Sequence, residues 1–564
     1  MTFLKAAFVA FFLIFPSTPA FSESLPVQDP KSKADEVLSM VELQIPDLSD
    51  ESEEVRQAII QETANLEVTL GHLDAAMKAD IKDPDYKEMI LGLVAVQECQ
   101  EGKVEDAEAR VFKMSNTLYK VDAHTGIGKA LTETDKFKTQ EHFQQASDLL
   151  PFIENETDEF DRQKNLALAQ LESRYLAKAL AIVTDISGDF KKAQVLAQMI
   201  MHAKDENQLK QIQLAIGLTQ DKFIRNKLDE ILTLFEAKSG WMKEALDHAG
   251  ELPEPEKVMA FCKIALMQWE LKKTESAADL LKRAEEAITP ISDNYEKSKA
   301  FGALASTQLK MNLNQSAREN FQKMKLFAMR LSKNNLARAR LCVEIAEGQR
   351  SNGQTKEAHI NFYEARNSLV EAEGSTDSKA RLFSQIAKGQ CLLGYVPDST
   401  EFFSKAKKMA GEGKDIEKKI ELLINIASDQ NEAKLTEEAE ETLEQATKEA
   451  KVLEDEEDRA NHLKKIALAY IQFKDLDKAQ KLSEFISSPL RKGDMCWAIG
   501  FELAKNGNEE EAISMAKNQP SRPLTLRGLL GAASGILLKA SQASKESLLD
   551  TSLLKGDADQ GLQK

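Results

Sequence analysis

The sequence predicts an all-α chain built from stacked helical hairpins, and two observations carry that prediction. Through residues 256–519 a small residue is followed seven positions later by a turn residue, and five further on by an Ala or Ser. The central copies are Ala265, Lys272, Ala277; Ala305, Asn312, Ala317; Ala346, Gly353, Ala358; Ala387, Gly394, Ser399; Ala427, Lys434, Ala439; and Ala467, Lys474, Ala479. Each copy reads as helix, tight turn and helix, with small side chains where two backbones approach. The composition agrees: aromatic residues make up only 6% of a chain rich in Ala, Leu, Glu and Lys, which favours closely packed helices.

Taken in order, residues 1–22 have the form of a signal peptide. Lys5 supplies the positive charge, an apolar core follows over 6–15, Pro16 breaks it, and Ala20-Phe21-Ser22 offers small residues for cleavage after Ser22. That core is too short to span a bilayer, which needs about 20 residues. The expected location is therefore secreted or periplasmic, with no integral membrane segment after signal removal. Residues 23–50, with Pro26, Pro30 and Pro46, read as a linker containing one short helix over 34–43.

Residues 51–255 read as irregular helical repeats. Acids at Asp50, Glu51, Glu53 and Glu54 mark a helix start, where the helix dipole favours negative charge. Ala95, Gly102, Ala107, Val111 and Met114 form a clear first copy. Over 121–172 the register is lost, with Gly126, Gly128 and Pro151 as interruptions. Two more copies are read at Ala181, Gly188, Ala193 and at Thr233, Gly240, Ala245. The regular array then runs over 256–519 and closes on Gly500, Gly507, Ala512. Pro520 and Pro523 end it. Residues 520–548 hold one more apolar helix, expected to cap the last repeat, and 549–564 form a polar tail.

The small-turn-small pattern continues into a larger residue four positions on (Leu281, Phe321, Phe362, Phe403, Leu443) and usually a small one three later. With apolar residues just before each first small position (Ile264, Leu304, Ile345, Ile386, Ile426, Ile466), it resembles the tetratricopeptide repeat. The resemblance covers most of 91–519 and implies antiparallel helix pairs stacked in a right-handed superhelix. Two features depart from the family. Its tyrosine, three after the first small residue, is here Gln268, Gln308, Gln349, Gln390 and Gln430, with only Tyr470 conforming. The period is 40 or 41 residues, against the family's 34. The additional residues would lengthen each helix by about one turn of 3.6 residues. The glutamines either hydrogen-bond along the stack or tolerate a partly open face.

The formal charge of −18, or −19 without Lys5, argues against a nucleic-acid partner, which needs clustered cations. Five cysteines without a CxxC pair suggest neither a zinc site nor a redox site, and are expected to be buried free thiols. No HExxH, GxSxG or EF-hand loop occurs. Thr125-Gly126-Ile127-Gly128-Lys129 lacks the upstream glycine and preceding strand of a phosphate loop. No metal and no cofactor are expected.

In the family the first helix lines a concave groove, partly through the position six before the first small residue. Here that position is Lys299, Arg340 and Arg381 in three successive repeats, with Arg350, Lys388 and Lys310 at other groove positions. The cations sit near helix N-termini, where the dipole disfavours them. Trp269 would flank the stripe on one side and Trp497 and Phe501 on the other. The alternative is that the cations merely pair with Glu344, Glu347 and their neighbours. The family's carboxylate-clamp pattern is not met, since Gly302, Val343 and Ser384 stand where it needs Lys or Asn. Together these features predict an exported, non-enzymatic scaffold that binds a peptide or protein partner in its groove. A helical-repeat enzyme or a carbohydrate-processing accessory protein is the alternative.

Overall fold

The turn residues fix the hairpins. In the computed structural model, which describes residues 29–332, 335–370 and 372–543, nine of the turn positions read from the sequence join a first helix to a second. These are Gly102, Gly240, Lys272, Asn312, Gly353, Gly394, Lys434, Lys474 and Gly507. All are left-handed, with φ between 59° and 92°. The next residue's N–H then donates to the carbonyl five positions back: Lys273 to Gln268 at 2.9 Å, Gln354 to Gln349 at 2.8 Å and Asn508 to Leu503 at 2.9 Å. That closes the first helix and launches the second without a side-chain cap at Lys272 and Asn312, whereas after Lys474 the Asp475 side chain accepts the Lys478 N–H at 2.9 Å. Most first helices begin differently, on an Asp, Asn or Ser whose side chain accepts a backbone N–H, as at Asp83, Asp293, Asn335, Ser375 and Asp455; Glu254–Glu270 starts on Pro253 without one.

The first helices of the regular array are Glu254–Glu270, Asn294–Lys310, Leu336–Ser351, Thr376–Leu392, Ile416–Glu432 and Glu456–Gln472. Their partners are Thr274–Ile288, Asn314–Ala328, Thr355–Val370, Val396–Glu412, Thr436–Lys451 and the short Leu476–Lys481. From Glu254–Glu270 to Ile416–Glu432 successive first helices pack on one another, and the four from Glu254–Glu270 to Thr376–Leu392 each pack on their own second helix. The small residues at each crossing, from Ala265 and Ala277 to Ala467 and Ala479, are buried. The larger residue four positions on is a knob for the next repeat. A Cβ at Gly348 would lie 2.1 Å from the Phe321 ring, and one at Gly389 2.0 Å from the Phe362 ring. Only glycine leaves room for these rings.

Two compact units result. One takes in the described residues up to Ala169 together with those from Ala450; the other runs from Gln170 to Glu449. In the first unit the two ends of the described chain meet. Helix Pro30–Glu42 buries Ala34, Val37, Leu38 and Val41 and packs on the long helix Arg522–Ala543, as does Glu53–Leu70. Lys33 reaches Glu509 at 3.0 Å and Glu510 at 2.6 Å. So residues 30–48 belong to the core, which corrects the linker expected there. The C-terminal helix does cap Pro489–Lys505, but it also carries the N-terminal helices.

The irregular repeats hold further corrections. Gly126 and Gly128 lie inside one continuous helix, Thr117–Ala130, where they admit Val96 and Phe143; they interrupt nothing and form no phosphate loop. Ala181 is exposed, and Gly188 opens helix Asp189–His202 instead of joining a hairpin. The register there is instead Ala167, Arg174, Ala179: both alanines are buried and Arg174 has φ 69°. Ala64, Gly71, Ala76 is another copy, with φ 93° at Gly71. The signal-peptide and polar-tail readings lie outside the described residues.

Candidate functional site

The polar residue three after the first small one turns out to be internal. Gln268, Gln308, Gln349, Gln390 and Gln430 are all buried. Three of them accept a hydrogen bond from a residue twelve positions later, on the second helix of the same hairpin. Asn320 donates to Gln308 at 2.9 Å, Asn361 to Gln349 at 2.6 Å and Thr442 to Gln430 at 2.7 Å. In earlier repeats the same two places hold Glu98 with Arg110, a bidentate pair at 2.6 Å, and Glu236 with His248 at 2.7 Å. Gln390 instead bonds His359 of the preceding second helix at 2.7 Å. The pairs twelve apart clamp their own hairpins, Gln390 ties one hairpin to the one before it, and burial withholds all five glutamines from a ligand.

The surface the hairpins leave open on their first helices is where the basic stripe lies. Lys299 and Arg381 are exposed and Arg340 is half-buried. Among the described residues, none of the three has a carboxylate within 4 Å. Lys299 holds its ammonium 5.4 Å from the Tyr295 ring centroid. Glu344 is exposed on the same surface and lies within electrostatic reach of Lys299 and Arg340, both of which favour its charged form. The supporting cations behave otherwise. Arg350 pairs with Glu347 at 2.7 Å, and Lys388 with Asp429 at 2.7 Å and Glu432 at 2.9 Å. The recurring register position thus keeps its cations open, while Arg350 and Lys388 are tied internally.

The aromatic flanks are also tied. Trp269 is half-buried against the core of its own repeats. Trp497 and Phe501 stack at 5.0 Å and 12° in the other unit, under helix Arg522–Ala543. A Cβ at Gly531 would lie 2.1 Å from the Trp497 carbonyl oxygen, and one at Gly535 2.5 Å from that of Phe501. The Trp497 indole N–H donates to Glu62 at 3.3 Å, and Ser534 donates to the same oxygen at 3.4 Å. Burial raises the Glu62 carboxyl, with Arg527 and these two donors opposing. Trp497 and Phe501 therefore close the first unit and leave the candidate site.

All five cysteines are free thiols, as expected; Cys391 is half-buried and the rest are buried. Loss of solvent pushes Cys99 and Cys342 up to about 11, and Cys262 and Cys496 up to about 12. Thiolate chemistry is suppressed at those values. No helix among the described residues is long and apolar enough to cross a membrane.

The chain folds as a tetratricopeptide-like array of paired helices, with left-handed turns and buried small residues at the crossings. No protein-family model matches it. No curated protein sequence matches it either. Among solved structures it is similar to Ton1535 from Thermococcus onnurineus NA1, at 15% identity over 66% of this chain and 98% of that one, with TM-score 0.24. It is also similar to a signal-transduction ATPase with numerous domains and a tetratricopeptide-repeat sensor from Pyrococcus horikoshii. That match has 14% identity over 93% and 90% of the two chains, with TM-score 0.29. A third, from the APC/C hetero-tetramer Cut9-Hcn1, has 12% identity over 89% and 100%, with TM-score 0.23.

Proposed function

We propose that this protein is an exported, non-enzymatic scaffold that holds an acidic segment of a protein partner along the open face of its first helices. The observation behind this is the stripe itself. Lys299, Arg340 and Arg381 recur at one register position, without a carboxylate within 4 Å among the described residues, in a chain of formal charge −18. Helix stability does not call for cations there, and exposed cations in an acidic shell orient and attract an anionic partner. Export rests on the signal-like residues 1–22; N-terminal sequencing of the mature protein should begin at Glu23.

The test compares affinity capture by the native chain and by the triple variant Lys299→Glu, Arg340→Glu, Arg381→Glu, with circular dichroism as the check on folding. A partner retained by the native chain at low salt should be lost from the variant. It should also leave the native chain as the Debye length falls to about 3 Å at 1 M salt. Recovery of the same proteins by both chains, with the same salt dependence, would refute the reading.

A further inference from the structure

Resting on the reading above, we propose that the partner segment is extended and carries acidic residues at every third position, one for each of Lys299, Arg340 and Arg381. In this arrangement Glu344 acts as a built-in competitor for the first two. The three cations stand at equivalent positions on the helices Asn294–Lys310, Leu336–Ser351 and Thr376–Leu392, which pack in succession. Packed helices lie about 8–10 Å apart, so the stripe presents a cation at about that interval. A polyproline-type segment rises about 3.1 Å per residue with three residues per turn. Its every third side chain therefore returns to the same face after about 9 Å. A β-strand turns every third residue to its opposite face, and so does not match.

A neighbouring carboxylate sharpens this. Glu344 is exposed one helical turn after Arg340 on the same helix, within electrostatic reach of Lys299 and Tyr295 on the preceding first helix, yet forms no ion pair within 4 Å among the described residues. Its charge already lowers the potential where two of the ligand carboxylates would sit. Arg381 is exposed, and the next first helix carries Glu421 at the same register position, so the cationic stripe ends at Arg381. Removing the Glu344 charge should strengthen binding.

The experiment uses the full mature chain and two fluorescein-labelled, end-blocked peptides of equal composition. One is Asp-Pro-Pro repeated three times, and the other gathers the same three Asp at one end. Anisotropy at low salt should show the spaced peptide bound about threefold or more tighter than the clustered one. Glu344→Gln should tighten the spaced peptide by about threefold. Arg381→Glu, or the milder Arg381→Gln, should remove the preference. Equal binding of both peptides, still sensitive to Arg381, would overturn the spacing and leave the cationic face as a binder of acidic segments. Binding of neither peptide, with Glu344→Gln silent, would overturn both. A helical peptide with acids seven apart, which also places them about 10 Å apart, would overturn the extended form if it bound tighter than the spaced one.

Discussion

The early repeats and the regular array place different chemistry in the same two positions of a hairpin. In the early repeats these hold charged partners, Glu98 with Arg110 and Glu236 with His248. In the regular array they hold neutral ones, Gln308 with Asn320, Gln349 with Asn361 and Gln430 with Thr442. The geometry that selects them is shared: the first partner sits at the last turn of the first helix, twelve residues before the second. Burial then demands that each polar group be satisfied. The fold specifies that a polar clamp exists, and leaves its charge open. A neutral clamp does not itself respond to pH or salt, whereas a charged clamp does.

The largest effect should be common to both regions and tests whether they share one packing rule. Phe143 packs over Gly128 in the early repeats and Phe362 over Gly389 in the regular ones, both rings fully buried. Phe143→Ala and Phe362→Ala should each destabilise by about 3–5 kcal/mol. Hydrogen exchange resolved along the chain is the measurement, because unfolding of a repeat array is local as well as global. A small loss at one site with a large loss at the other would show that the two regions are built differently.

Breaking a clamp should separate the regions. Arg110→Ala leaves the Glu98 carboxylate, only 6% exposed, without its bidentate partner, and should cost about 2–3 kcal/mol. Asn361→Leu removes a neutral partner from Gln349 and should cost about 1–2 kcal/mol. Denaturant midpoints or local exchange rates decide between them. Equal losses would mean that charge adds nothing to the clamp.

The next expectation concerns pH. The hydrogen bond to Glu236 raises His248 above its ordinary 6.5, with burial opposing and Glu251 and Asp229 adding to the rise. A raised histidine stabilises the fold fully below the unfolded value and loses that contribution as pH rises through the folded one. Protection around helix Met242–Glu251 should therefore fall from pH 6 toward pH 8, while protection around Gln308 and Asn320, in a hairpin without histidine, stays flat. His248→Gln should abolish the slope. A slope that persists in that variant would place the titration elsewhere.

Much of this could be read from residue spacing, because the seven-plus-five interval is imposed by one turn geometry. The same rule would also have found Ala64, Gly71, Ala76 and Ala167, Arg174, Ala179. The first is obscured because its second helix, Leu73–Lys78, ends after six residues and carries no larger residue four positions on. The second is obscured by arginine at the turn and by the nearby Gly188, which imitates one. The clamps were legible as polar pairs twelve apart. The fate of Trp497 was not, since its partner Glu62 lies 435 residues upstream and no local pattern records such a contact. For the stripe, position in the repeat was readable, but pairing was not: Lys388 is tied by Asp429 and Glu432 on the next first helix.

The smallest effect lies in the turns themselves. Lysine and asparagine turns sit at φ 59–66°, close to the left-handed minimum near +57°, whereas Gly102, Gly240, Gly394 and Gly507 sit at 85–92°. A side chain at the first set costs about 1–2 kcal/mol relative to a right-handed residue, partly offset by the entropy that glycine would lose. Lys434→Gly should therefore change stability by less than about 1 kcal/mol. At Gly394 nothing lies within 4 Å of an added Cβ, so crowding plays no part and only the backbone angle matters. Gly394→Ala should cost about 1 kcal/mol or slightly more, and Gly394→Asn less, because asparagine tolerates the left-handed region. Denaturation midpoints of the three variants give the order directly. If Gly394→Ala and Gly394→Asn both cost nothing, φ near 90° is no harder for a side chain to hold than φ near 60°, and the choice between glycine and lysine at these turns carries no structural information.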